Sequence, residues 1–217
     1  MRFSDRADAG RQLAARLAEL RLAEPVILAL PRGGVPVAVE IARRLAAPLD
    51  LVLVRKIGAP GHEELAVGAI VDGERPELVL NPDVVAAYGI DDVWLEGAQN
   101  RQLAEIERRR HLYLGGRARV PIAGRTAIVV DDGIATGATV RAALHAVRRA
   151  GPRELVLAVP VAAAAVLARL GADADRTVCL ETPRDLVAVG QFYRDFRQVE
   201  DDEVVRMLAA CPPNPAT

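Results

Sequence analysis

The chain has 217 residues, enough for one sizeable α/β core or a core with a small subdomain. Its 51% hydrophobic and 26% charged content is ordinary globular composition, and a net charge of −1 with no long basic run argues against nucleic acid as a main partner. No apolar segment approaches membrane-spanning length and residues 1–6 lack the apolar stretch of a signal peptide, so no membrane contact and a cytoplasmic location are expected. In that compartment Cys179 and Cys211, which lack metal-ligand spacing, are expected to stay reduced.

In chain order, Ser4 is placed to cap a first helix that runs to about Leu20, with Leu13, Leu17 and Leu20 on one face. Residues 26–30 read as a buried strand that runs into Pro31-Arg32-Gly33-Gly34 and then a helix over 35–45. Paired glycines let backbone approach a ligand closely, and Arg32 can fork onto phosphate oxygens. Residues 50–54 read as a second buried strand. It delivers Arg55 and Lys56 at its C-terminal end, where parallel sheets place ligands. Lys56 is the only lysine among 28 Lys and Arg residues, a compact mobile charge where Arg would offer a planar fork.

Residues 57–64 carry Gly58, Pro60 and Gly61 and no period, the composition of a mobile lid. Glu63 or Glu64 can take a proton from an incoming nucleophile there, or simply be solvated. Residues 65–71 and 77–80 read as an antiparallel pair, and Asn81-Pro82-Asp83 as the start of a helical turn. A charged helix follows over 92–112, with a partial apolar stripe of Trp94, Leu95, Ala98, Leu103 and Ile106. The runs 108–110 and 148–149 read as solvated helix faces. Later come a strand over 154–159 leading to Val161, an Ala-rich helix over 162–170 and a last core strand over 177–180. An aromatic cluster of Phe192, Tyr193 and Phe196 precedes a short helix over 201–208. Its rings can stack on a flat base or close the sheet edge as a hydrophobic patch. This βα alternation predicts an α/β fold, a single Rossmann-like open and mainly parallel sheet of about five strands with helices on both faces. A small hood or insertion over about 55–120 belongs to one domain of 1–210, and 211–217 reads as a disordered tail.

The most informative stretch is 127–139. An apolar run ends in adjacent carboxylates, Asp131 and Asp132, followed by Gly133, Ala135, Thr136, Gly137, Ala138 and Thr139 before a helical pattern. A strand, a small-residue turn and a helix N-terminus make an anion site, because free N–H groups converge where the helix dipole is positive. Carboxylates beside such a cradle can accept hydrogen bonds from sugar hydroxyls or face a divalent cation bound with the phosphates. The implied ligand is a sugar phosphate with free hydroxyls. The stretch is neither a P-loop nor a dinucleotide fingerprint.

This stretch resembles the 5-phosphoribosyl-1-pyrophosphate (PRPP) signature of the type I phosphoribosyltransferases. The resemblance implies that Asp131 and Asp132 hold the ribose and meet Mg²⁺ indirectly, through PRPP. It assigns Gly133, Ala135, Thr136, Gly137, Ala138 and Thr139 to the 5′-phosphate and Arg32, Gly33 and Gly34 to pyrophosphate, with a cis peptide expected at Pro31–Arg32. Arg55 and Lys56 resemble the pair that opens the lid in adenine and orotate enzymes, although the second lysine of the adenine pattern is absent. These two cations, with Glu63 and Glu64, form the expected catalytic set. Val161, Phe192 and Tyr193 are the expected acceptor contacts. Hypoxanthine-guanine enzymes carry an Asp where Ala135 stands and a late lysine, so a 6-oxopurine acceptor is disfavoured. The implied activity is Mg²⁺- and PRPP-dependent transfer of the 5-phosphoribosyl group to a nitrogen base or other small acceptor, by an expected homodimer. A non-catalytic PRPP- or nucleotide-binding regulator with the same fold is the alternative.

Overall fold

A computed structural model describes residues 3–73 and 76–211, apart from the side chain of Glu64. Most of the predicted tail, 212–217, lies outside the described residues. Helix α1 (Arg6–Glu19) leads into β1 (Pro25–Ala29), α2 (Gly34–Leu45) and β2 (Leu49–Leu51). An antiparallel sheet follows, formed by β3 (Val54–Ala59), β4 (His62–Val71) and β5 (Glu77–Leu80). Helices α3 (Pro82–Ala87) and α4 (Asp92–Leu114) complete this hood. The chain then resumes the core with β6 (Thr126–Val130), α5 (Ala138–Arg149), β7 (Glu154–Val161), α6 (Ala164–Leu170), β8 (Arg176–Glu181) and α7 (Asp201–Ala209). The core sheet has the order β2-β1-β6-β7-β8, and every pairing in it is parallel.

Successive strand residues point to opposite faces, and the central strands are apolar on both because helices cover both. Ile27, Ala29, Ile128, Val130, Val156 and Ala158 pack with residues of α1, α2, α4 and α7. The alternate set, including Val26, Leu28, Ala127, Val129, Leu155 and Leu157, packs with α5 and α6. The expected five-stranded α/β fold is therefore present. Among the described residues no helix is long and apolar enough to cross a membrane.

Four local expectations are corrected. The first helix is capped by Asp5 rather than Ser4: the Asp5 carboxylate accepts from Asp8 N at 2.7 Å, which makes Arg6 the first helical residue. The strand expected over 50–54 is two strands in different sheets, since β2 ends at Leu51 and Val54 opens β3. Val52 and Leu53 between them are buried, so the apolar run is unbroken where the chain changes sheet. The aperiodic lid is a β3–β4 hairpin turning at Pro60 and Gly61, the latter at φ +72. Its pairing shifts register on both sides of Gly58, which erases the alternation that signals a strand. Finally, Cys211, assigned to the tail, is buried in the core with Leu208 and Val204.

The run 108–110 is not uniformly solvated either. Arg110 donates to Asp72 Oδ2 at 2.9 Å and to Asp50 Oδ1 at 3.1 Å, and these carboxylate side chains are only 3% and 5% exposed. Arg119 also bonds Asp72, and Val120 N donates to Asp50 Oδ2 at 2.9 Å. This buried network ties the hood helix α4 to β2 and to the end of β4.

Candidate functional site

The order of the core sheet reverses between β1 and β6. From β1 the chain proceeds outward to β2, and from β6 it proceeds the other way to β7 and β8. Such a switch point opens a crevice at the C-terminal ends of the strands, where the following loops diverge. Residues 31–34 and 131–139 are those two loops. They touch at backbone level: Leu30 N donates to Val130 O at 2.9 Å, and a Cβ on Gly34 would meet Val130 O at 2.7 Å. A Cβ on Gly33 would collide with Asp132 Oδ2. The Pro31–Arg32 peptide is cis, as expected.

In the second loop, Ile134 N donates to Val161 O at 2.9 Å, which pins the turn to β7. Gly137, at φ +84, then opens α5. Ala135, Thr136 and Ala138 are exposed, and among the described residues the amides of residues 135–138 have no hydrogen-bond partner. Unpartnered N–H groups at a helix start form an anion cradle.

Asp131 and Asp132 stand at its edge. Asp131 Oδ1 accepts from Asp132 N at 2.8 Å. Burial, and then the charge of Asp132, lift the Asp131 carboxyl well above its ordinary value of 3.8. Burial also raises Asp132, against the opposing pull of Arg6. Because the folded protein then binds protons more tightly than the unfolded chain, Asp131 subtracts stability as pH rises above the ordinary carboxylate range. Asp131→Asn, which keeps an acceptor for Asp132 N but carries no charge, is expected to raise the melting temperature at pH 7. The gain should vanish in acid; an equal gain at both pH values in thermal scans would refute the assignment to charge.

Arg6 is a residue that sequence reasoning missed. Its Nε donates to Asp132 Oδ2 at 2.7 Å, its Nη1 to Arg197 O at 2.8 Å, and its guanidinium lies 3.8 Å from the Phe196 ring centre. The one available signal was its position, since a cation in the first turn of a helix opposes the helix dipole. Tyr193 was expected to face an acceptor. Instead its hydroxyl donates to Asp132 O at 2.6 Å, and its ring lies 5.3 Å from Phe3 and 4.9 Å from Phe196 between centres. Val161 is fully buried in the same cluster, so of the three expected acceptor contacts only Phe192 keeps appreciable exposed surface. Aromatic composition is the same for a stacking platform and for a sealed cluster, and here the N-terminal Phe3 seals it.

Arg32 is held at the start of α7. It donates to Asp201 Oδ1 at 3.3 Å and lies 3.6 Å from Glu200. Tyr113 OH donates to the same Asp201 oxygen at 2.7 Å. That bond and Arg32 draw the Asp201 carboxyl down against burial, while burial and Asp201 push the Tyr113 hydroxyl up to about 12.

Arg55, Lys56 and Glu63 gather elsewhere. They line a cavity of about 490 Å³ between the β3–β4 hairpin and α4, with no residue of either loop in its lining. Cross-strand partners share a face. Arg55 pairs with Ile70, whose cluster includes Ala98 and Ile106 of α4, and it donates to Gln102 Oε1 at 3.1 Å. Lys56 pairs with Ala69, which packs in the cluster of α5. Adjacent in sequence, the two cations leave the strand on opposite faces. Among the described residues no group of three or more His, Cys, Asp or Glu side chains could hold a metal ion.

A phosphoribosyl transferase domain model matches residues 4–197. A Mycobacterium tuberculosis (strain H37Rv) protein named "Putative phosphoribosyl transferase Rv0571c" is 52% identical over 206 residues, covering 95% of this chain and 46% of that protein. The chain thus spans about half the length of this relative. "Bifunctional protein PyrR" of Chloroflexus aurantiacus is 36% identical over 131 residues, 59% of this chain and 65% of that one. Among solved structures, TT1426 from Thermus thermophilus is 47% identical, with a TM-score of 0.83 over 97% of this chain and 99% of that one. With its parallel core and paired loops, the chain belongs to the phosphoribosyl transferase family.

Proposed function

We propose that the chain transfers the 5-phosphoribosyl group of PRPP to a nitrogen base or other small acceptor and releases pyrophosphate. The observation that carries this reading is the meeting of two βα loops at the switch point, one with unpartnered amides and two carboxylates, the other with a cation and two contact glycines. Mg²⁺ enters as the counter-ion of PRPP's pyrophosphate, as part of the substrate.

In this reading the amides of residues 135–138 and the hydroxyls of Thr136 and Thr139 hold the 5′-phosphate. Asp131 and Asp132 accept from the ribose hydroxyls and favour positive charge developing on the sugar. Arg32 serves the pyrophosphate once drawn from Asp201. Lys56, on the strand face directed toward α5, neutralises the departing charge when the hairpin closes. Arg55, bonded to Gln102 on the other face, has no part in this step.

Calorimetry with PRPP and Mg²⁺ is expected to show binding that Asp132→Asn weakens by roughly 10-fold or more, the loss of charge-assisted hydrogen bonds. Across a panel of bases, pyrophosphate release is expected with at least one acceptor and lost in Lys56→Ala. Absence of binding heat refutes the reading. Binding without turnover across the panel selects the second reading, a PRPP-binding regulator. Two observations favour that alternative: the ion pairs that engage Asp132 with Arg6 and Arg32 with Asp201.

A further inference from the structure

Arg32, the cation of the loop 31–34, is engaged by two carboxylates from the far end of the chain. Its Nη1 donates to Asp201 Oδ1 at 3.3 Å and stands 3.6 Å from Glu200 Oε2. Both carboxylates lie at the start of α7. The helix is capped there by the reciprocal bonds of Glu200 and Glu203, in which the Asp201 carboxylate has no part. Asp201 is instead fixed from the hood, where Tyr113 OH of α4 donates to the same oxygen at 2.7 Å. Tyr113 and Arg32 together keep it ionised.

The second loop is tied to the same segment. Arg6 bonds Asp132 Oδ2 at 2.7 Å and donates to Arg197 O at 2.8 Å. Arg197 in turn donates to both Glu203 oxygens, at 2.8 and 2.6 Å, and Glu203 accepts from Glu200 N at 3.0 Å. A continuous path of polar contacts therefore runs from Asp132 through residues 197–203 to Arg32. One segment holds a charged group of each loop.

The hold on Arg32 is of a kind that a ligand can break. The side chains of Arg32, Asp201 and Glu200 are 30%, 45% and 57% exposed, and ion pairs in contact with water contribute little. A phosphate offers a guanidinium two oxygens in a fork, and pyrophosphate carries several charges where each carboxylate carries one. We propose that the start of α7 is an internal competitor of the pyrophosphate group: Asp201, with Glu200 beside it, occupies Arg32 until the ligand displaces it. The inference rests on the transfer reading in assigning pyrophosphate to Arg32, and it adds an autoinhibitory contact to that site. Because Tyr113 fixes Asp201, the hood helix sets the competitor in place as well as α7 does.

Calorimetric titration of the full chain with inorganic pyrophosphate in Mg²⁺ buffer measures the competition. Asp201→Asn keeps an acceptor for Tyr113 and removes the charge, so it should bind roughly 3-fold more tightly than the wild type, the scale of an exposed ion pair. Asp202→Asn makes the same change of charge one residue on, at a carboxylate that pairs with Arg206, and should bind as the wild type does. In an Arg32→Gln background Asp201→Asn should have no effect, since no cation is left to release. Unchanged or weaker binding by Asp201→Asn would mean that Asp201 orients Arg32 for its ligand, and would overturn the proposal. An equal gain in Asp202→Asn, a gain that survives without Arg32, or pyrophosphate bound by neither protein would overturn it as well. The transfer reading fails separately: a wild type that binds no PRPP, beside an Asp201→Asn variant that gains pyrophosphate through Arg32, sinks that reading and upholds the competitor. PRPP and pyrophosphate bound equally by the two proteins would do the reverse.

Discussion

Arg110→Ala is expected to cost about 3–5 kcal/mol of folding stability, the range for breaking a buried ion pair from one side. The guanidinium is 14% exposed and bridges Asp50 and Asp72, so its removal leaves two carboxylates in the interior facing each other's charge. Asp72 would retain Arg119 and Asp50 the amide of Val120, which keeps the loss at the lower end of that range. For a chain of this length the change corresponds to a fall in melting temperature of roughly 10 °C. Because the pair is buried, the loss should persist at high salt, where exposed pairs are screened. Urea unfolding at low and high ionic strength checks both statements; a loss below about 1 kcal/mol, the range for exposed pairs, would mean that the network is solvated.

Gly33→Ala and Gly34→Ala are expected to fail in different ways, although the residues are neighbours. At Gly33 the new methyl would collide with Asp132 Oδ2, the end of a side chain that can swing away. Swinging away breaks the 2.7 Å pair with Arg6 and removes the carboxylate from the crevice. The chain should therefore fold, with PRPP binding reduced by roughly 10-fold or more, the magnitude expected when a charged acceptor is lost. At Gly34 the methyl would meet Val130 O at 2.7 Å and the Asp131 Cα at 3.0 Å, both backbone atoms of the neighbouring strand end. Only a parting of β1 from β6 relieves that contact, so Gly34→Ala should lower stability itself, by roughly 1–3 kcal/mol, the cost of an overpacked core. Parallel thermal scans and PRPP calorimetry separate the two. Wild-type PRPP affinity in Gly33→Ala would show that Asp132 is not needed in its present position.

The parallel core and the phosphate-type loop were legible in the residue pattern, because both are local. Strands such as Thr126–Val130 are apolar on both faces whatever surrounds them, and a small-residue turn that opens a helix exposes its amides wherever it occurs. Which side chains meet depends on how the elements pack. Arg6 reaches Asp132 across 126 positions of sequence, and no period or spacing encodes that contact. Arg55 and Lys56 look like one cationic pair in sequence, yet a strand in the antiparallel hood sends one toward α4 and the other toward α5. Val161 and Tyr193 read as acceptor contacts until Phe3, from the far end of the chain, is seen to pack on Tyr193 in the cluster that buries Val161. Burial is a property of what covers a residue, and the cover comes from elsewhere in the chain.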